Sequence, residues 1–195
     1  MTQTPVPIDL ETTGLHPADD AILEFAMLLV DRDLDVVADF GNRVVFQPED
    51  VLEARMNDYV RRMHTDNGLL EAVRESDLRL DAVDEEAADW LHEHGVAGDG
   101  AGIVLGSSCR LDLYMIELQM PRLARLLTHR MIDVSGVRES LNLYLPGLEL
   151  ADDARIHEHV PAGEGATSHR AHDDIRWTLG EARCQRETLR GLIRP

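Results

Sequence analysis

The chain's 195 residues suit one compact domain spanning 1–195 better than two, and a hydrophobic fraction of 44% allows a sizeable core. A net charge of −18 counts against a protein that grips long duplex nucleic acid, because such binding rests on a basic face. A short oligonucleotide could still be held where metal ions and a few arginines meet its phosphates. No apolar run approaches the roughly 20 residues of a membrane span, and Met1 to Pro7 carries neither a basic residue nor an apolar stretch, so a cytoplasmic protein is expected.

In chain order, Val6 to Glu11 reads as a short strand bounded by prolines and by Thr12-Thr13-Gly14. Ile22 to Val30 is a longer apolar strand, turned back by Asp31-Arg32-Asp33 into Asp35 to Phe40. Arg43 to Phe46 continues it after an irregularity at Gly41-Asn42. Helical periodicity follows Pro48, is interrupted from His64 to Gly68, and resumes from Leu69 to Arg74. Asp81 to His94 is a helix ended by Gly95, and Ile103 to Leu105 is a short buried strand. Leu111 to Leu127 is helical, with Pro121 expected to bend or split it. Met131 to Val134 is a last strand, and Ser135 caps a helix to Leu145. Pro146 to Thr167 is irregular, and Thr167 or Ser168 caps a final helix to about Leu192. The order implies an α/β fold, a mixed sheet with antiparallel strands first and parallel additions later, flanked by helices.

Asp9 and Glu11 lie two apart on a strand, so both leave one face while Ile8 and Leu10 enter the core. Adjacent carboxylates repel, and a divalent cation such as Mg²⁺ removes the conflict; a solvated strand edge is the plain alternative. Asp112 opens a helix just after Gly106-Ser107-Ser108, where it either joins those carboxylates or only complements the helix dipole. In His169-Arg170-Ala171-His172-Asp173-Asp174, His169 shares a helical face with Asp173. Asp174 is turned by about 140° at about 100° per residue, so spacing alone does not choose between the two aspartates. Cys109 and Cys184 match no zinc or redox spacing and are expected to be buried or incidental thiols. His157, His159 and His172 read as solvated rather than as zinc ligands, and Trp90 and Trp177 read as core.

Taken together, Ile8-Asp9-Leu10-Glu11-Thr12-Thr13-Gly14-Leu15, Gly106-Ser107-Ser108 with Asp112, and His169 with Asp174 resemble the three motifs of DEDDh 3′-to-5′ exonucleases. The resemblance extends to the oligoribonuclease family through Ile22-Leu23-Glu24, His64-Thr65, Arg130, Asp133-Val134-Ser135 and Asp173-Asp174-Ile175-Arg176. It implies a ribonuclease H-like fold, a homodimer and two Mg²⁺ or Mn²⁺ ions held by Asp9, Glu11, Asp112 and Asp174, with His169 as general base. It also makes Asp174 the ligand in preference to Asp173. Leu15 corresponds to an apolar wedge between terminal bases. His64, with Arg130 and Ser135 of a partner subunit, corresponds to the groups around the 5′ phosphate of a very short substrate. The chain departs from the family pattern at several points: Pro7 stands for a tryptophan, Tyr59 for the stacking tryptophan, His129 for a partner-subunit tyrosine, and Arg110-Leu111 for Gly-Gln.

The chemistry so implied is two-metal hydrolysis: four carboxylates supply about −4, which two divalent ions balance while clamping the scissile phosphate. The leading expectation is degradation of short single-stranded RNA to mononucleotides. The alternatives are a DEDDh exonuclease acting on single-stranded DNA or structured RNA 3′ ends, and a catalytically silent nucleotide-binding module.

Overall fold

The computed structural model describes residues 3–148, 153–160 and 168–193. Strands β1 (Thr4–Thr12), β2 (Ile22–Val30), β3 (Val36–Val44), β4 (Gly102–Gly106) and β5 (Leu127–Asp133) form one sheet in the order β3-β2-β1-β4-β5. The first three pair antiparallel, and β1 with β4 and β4 with β5 pair parallel. The mixed α/β sheet expected from the element order is the sheet observed.

β1 begins two residues earlier than its sequence suggests, and carries Pro5 and Pro7 in its interior. Thr4 N–H donates to Ala101 O, so by alternation the donors missing at both prolines face away from β4, on a stretch where pairing with β2 has not begun. In β2 every residue is buried, because both faces of the sheet are covered. Phe25, Met27 and Leu29 join the main core with Val83, Ala87 and Leu91 of α4 (Leu80–Glu93) and Met115 and Ile116 of α5 (Arg110–Gln119). On the other face Ala26, Leu28 and Val30 pack on Ala171, Ile175 and Leu179 of the long helix α9 (Ala171–Ile193).

Several boundaries differ from the sequence reading. The irregularity at Gly41 is a bulge inside one continuous β3: Met27 pairs with Gly41 but Leu28 with Asp39, leaving Phe40 unpaired. The helical stretch after Pro48 breaks at Met56-Asn57 rather than at His64. It gives α1 (Glu49–Arg55), then α2 (Asp58–Asp66) capped by the Asn57 side chain, then α3 (Leu69–Glu75). Pro121 does split its helix, into α5 and α6 (Pro121–Leu126), so β5 starts at Leu127, four residues before the expected Met131. The cap of α7 (Val134–Tyr144) is Asp133, which accepts Gly136 N–H, and not Ser135. Within Pro146 to Thr167 the chain forms α8 (Asp153–Glu158), while 149–152 and 161–167, with the expected cap Thr167, lie outside the described residues.

Candidate active site

Asp9 and Glu11 face the α9 side of the sheet, opposite Ala26 and Glu24 in the β1–β2 register. β4 stops pairing with β1 at Pro7, and beyond that point Leu10 N–H donates to Asp112 Oδ1 at 3.0 Å. Asp112, in the first turn of α5, is thereby fixed between the two β1 carboxylates in sequence and held nearly fully buried. The turn that delivers it is tight: a Cβ on Gly106 would come within 2.5 Å of Cys109 Cβ and 3.1 Å of Ile8 O. Ser108 next to it has a φ of 56°.

The fourth carboxylate arrives on α9. Asp174 Oδ1 accepts Ser168 N–H at 3.1 Å and lines the same groove as Asp9, Glu11 and Asp112, whereas Asp173 turns back to accept the Ser168 hydroxyl. His169 is exposed, with a φ of 53°. One of its ring nitrogens and one carboxylate oxygen each of Glu11 and Asp174 lie within 4.8 Å of one another. The strained backbone is held from both sides. Asn67 Nδ2 donates to His169 O, and the fully buried Glu24 accepts Arg170 Nη2 at 2.6 Å and Ala171 N–H at 2.8 Å. Glu24 also accepts Asn42 Nδ2 at 2.5 Å. The start of α9 is therefore satisfied by a carboxylate from β2, and not by Ser168, whose hydroxyl is committed to Asp173.

Electrostatically the site is a concentration of negative charge without enough cations. Burial, then Asp174, Glu24 and Asp112, push the Glu11 carboxyl up to about 8. Burial, then Asp112, Asp174 and Glu11, raise Asp9 well above the usual carboxylate range. Burial lifts Asp112 to about 7 and Asp174 to about 6. Four oxygen-donor side chains that are costly to ionise alone are the donor set a hard divalent cation requires, so Asp9, Glu11, Asp112 and Asp174 fit such an ion. Cys109, beneath the Gly106–Ser108 turn, is fully covered and its thiol is pushed up to about 12 by burial first and by Asp133 and Asp112 next. Cys109 and Cys184 are both free and buried.

A groove of about 560 Å³ opens over the carboxylates, bordered by Leu15, Arg55, Asn57, Tyr59, Ser108 and His169 among others. Leu15 projects from it with 75% of its surface exposed, and Tyr59 with 72%. The Leu15 loop is pinned by Asp20, which accepts the Thr13 hydroxyl and His16 N–H at 2.8 Å each; a Cβ on Gly14 would meet that carboxylate at 2.5 Å.

The remaining expected residues are placed differently. His64 is a correction: its ring is 0% exposed, and Nε2 donates to Thr12 O at 3.0 Å, leaving Nδ1 buried without a partner. It supports the end of β1 from below and does not border the groove. Ser135 was expected from a partner subunit, yet its hydroxyl lies 3.1 Å from Ser108 Oγ of its own chain. His129 and Arg130 are exposed on the edge strand β5, away from the groove. His172 pairs with Asp39, and Trp90 packs on Phe40. Sequence reasoning missed the roles of Glu24, Asn67 and Arg55. A lone carboxylate within the run ILEFAMLLV was the one available signal, for Glu24.

The family model for exonucleases of the RNase T group matches residues 6–182. Relatives in the same family include the mitochondrial oligoribonuclease of Homo sapiens, 32% identical over 97% of this chain and 74% of its own length. The oligoribonuclease of Streptomyces griseus is 35% identical over 93% of this chain and 84% of its own. The chain belongs to the oligoribonuclease branch of the exonuclease family. Among solved structures, this exonuclease-family chain superposes on Escherichia coli Exonuclease I in complex with a dA16 oligonucleotide with a TM-score of 0.69 at 18% identity. The match covers 98% of this chain but 42% of that one. A moderately thermophilic Exonuclease I from Methylocaldum szegediense gives 0.66 at 20%, covering 95% of this chain and 41% of that one. The chain thus spans about two-fifths of those two proteins, and the likeness carries the fold alone.

Proposed function

We propose that residues 1–195 form one exonuclease domain that removes nucleotides from the 3′ end of short single-stranded RNA, releasing mononucleotides. The observation that carries this reading is the convergence of Asp9, Glu11, Asp112 and Asp174, from three separate segments, on one groove with exposed His169 at its lip. Two Mg²⁺ or Mn²⁺ ions held by the four carboxylates would supply the Lewis acidity and charge neutralisation that phosphodiester hydrolysis needs. His169 takes the proton of the attacking water at a ring nitrogen, and its exposure lets that proton pass to solvent. Leu15 and Tyr59 present apolar and aromatic surface to the bases on either side of the opening. Arg55, which borders the groove and makes no ion pair or hydrogen bond among the described residues, is available to a phosphate.

The net charge of −18 accords with short substrates and not with long duplex. A homodimer accords with the unpaired edge of β5, where His129, Arg130 and Ile132 are exposed, and with exposed Leu143 and Tyr144 on α7. Across that interface His129 and Arg130 would approach a partner's substrate. A cytoplasmic setting accords with two unpaired buried cysteines, and no helix among the described residues is long and apolar enough to cross a membrane.

The test is a time course on 5′-labelled RNA of two, seven and twenty-four nucleotides, with single-stranded DNA alongside, in Mg²⁺, Mn²⁺ or EDTA. Rapid metal-dependent loss of the shortest RNA is the expected result. Preference for long DNA would reassign the substrate, and no cleavage with either metal would leave only a binding role.

A further inference from the structure

The groove does not end at Leu15. On the far side of that side chain lies a second hollow, of about 380 Å³, lined by Leu15, Pro17, Ser108, Arg110, Leu111 and Tyr114. Leu15, Ser108 and Leu111 border both cavities, so a strand leaving the carboxylates passes over one exposed leucine into the second.

The chemistry of this hollow is unlike the rest of the surface. Arg110 and Tyr114 are four residues apart on α5 and share its outward face, because Asp112, Leu113, Met115 and Ile116 are turned inward. Tyr114 is 54% exposed, with its ring uncovered by any neighbouring element. Arg110 makes no ion pair or hydrogen bond among the described residues. By contrast Arg43, Arg74, Arg122, Arg125, Arg138 and Arg170 each hold a carboxylate. In a chain of net charge −18, no carboxylate lines this hollow. An open aromatic face, a free guanidinium and the Ser108 hydroxyl over a small apolar floor suit a nucleobase with its phosphate. Six side chains are far too few for a stable protein interface, which takes about 20–30 residues on each side.

We propose that Arg110 and Tyr114 form a nucleotide subsite on the 5′ side of the nucleotide held at the carboxylates, Tyr114 stacking on a base and Arg110 meeting a phosphate. This rests on the exonuclease reading of the groove, which sets the direction of the strand. It makes the enzyme's grip depend on substrate reaching across Leu15.

The first arm of the test is equilibrium binding of a 5′-fluorescein pentaribonucleotide by anisotropy, with Ca²⁺ in place of Mg²⁺ to hold off cleavage. Tyr114→Ala weakens binding about tenfold, and Tyr114→Phe restores it, since the phenyl face stacks as well. Arg110→Ala weakens binding and lowers the salt dependence by about one counterion. Affinity of Tyr114→Ala within twofold of wild type overturns the proposal. The second arm compares kcat/KM on the pentanucleotide with kcat/KM on the p-nitrophenyl ester of a nucleoside 5′-monophosphate, which has no upstream nucleotide. The ratio falls about tenfold in both alanine variants, through KM and not kcat; an unchanged ratio again overturns the subsite. If the wild-type protein binds RNA through Tyr114 but cleaves neither substrate, the subsite stands and the exonuclease reading fails.

Discussion

Glu11 and Glu24 face each other across β1 and β2 and are both buried, yet they are opposite cases of how a protein carries a charge inside. Glu24 is saturated by groups of its own chain: the Arg170 guanidinium, Ala171 N–H and the Asn42 amide. Glu11 has three carboxylates near it and the His64 ring nitrogen at 3.9 Å, and its carboxyl is pushed up to about 8. A buried acid with internal partners is a structural tie. One whose neighbours are other acids is unfinished without something from outside the chain.

The sharpest way to break this contrast is to neutralise one member of each set. Asp112→Asn keeps an acceptor for Leu10 N–H, so the fold, read by circular dichroism, stays intact while RNA cleavage falls by more than about a thousandfold. A variant cleaving at the wild-type rate would remove Asp112 from the site. His169→Ala reduces kcat by about 10²–10⁴-fold yet leaves the metal-induced rise in Tm in place, because the residue serves a proton and not the ions. Loss of the Tm rise in that variant would make His169 a metal ligand instead. Glu24→Ala acts on stability first. It strands the Arg170 guanidinium and costs about 3 kcal/mol by urea denaturation, at the lower end for a broken buried pair since Arg170 is partly exposed. A loss under about 1 kcal/mol would contradict the structural role.

The smallest effect is on pH dependence. Glu11 has a folded pKa of about 8 against an ordinary value of 4.5, so between these values the unfolded chain gives up its proton more readily than the folded one. Its contribution to the metal-free fold is therefore neutral below about pH 4.5 and increasingly destabilising toward pH 8. Glu11→Gln removes it, so metal-free variant and wild type match at pH 4 and the variant melts a few degrees higher at pH 8. Calorimetry at the two pH values checks this, and equal melting temperatures at pH 8 would show that Glu11 is not held against its charge.

Much of this was legible in the sequence. The alternation of Asp9 and Glu11 with Ile8 and Leu10 gave the face of β1, and Pro121 gave the break between α5 and α6. Spacing alone left Asp173 and Asp174 undecided, because the α9 backbone is not helical at His169; the left-handed residue there re-aims the turn, and helical geometry cannot anticipate it. Glu24 and Asn67 escaped notice because their work is done on residues about 100 to 150 positions away. His64 was misplaced for a related reason. Its periodicity says helix, but only the packing of α2 under Thr12 decides that the ring faces inward. Caps were misread wherever a partner from another element replaced the local hydroxyl, as at α9.

Cys109 gives the active-site turn a built-in clock. Its thiol is 1% exposed and titrates near 12, so at neutral pH it is almost entirely protonated and shielded from reagent. Alkylation therefore waits for the Gly106–Ser108 turn to lift off β1, and the labelling rate counts those openings. Because the same turn leads into Asp112, the rate reports how often the second-motif carboxylate leaves its place.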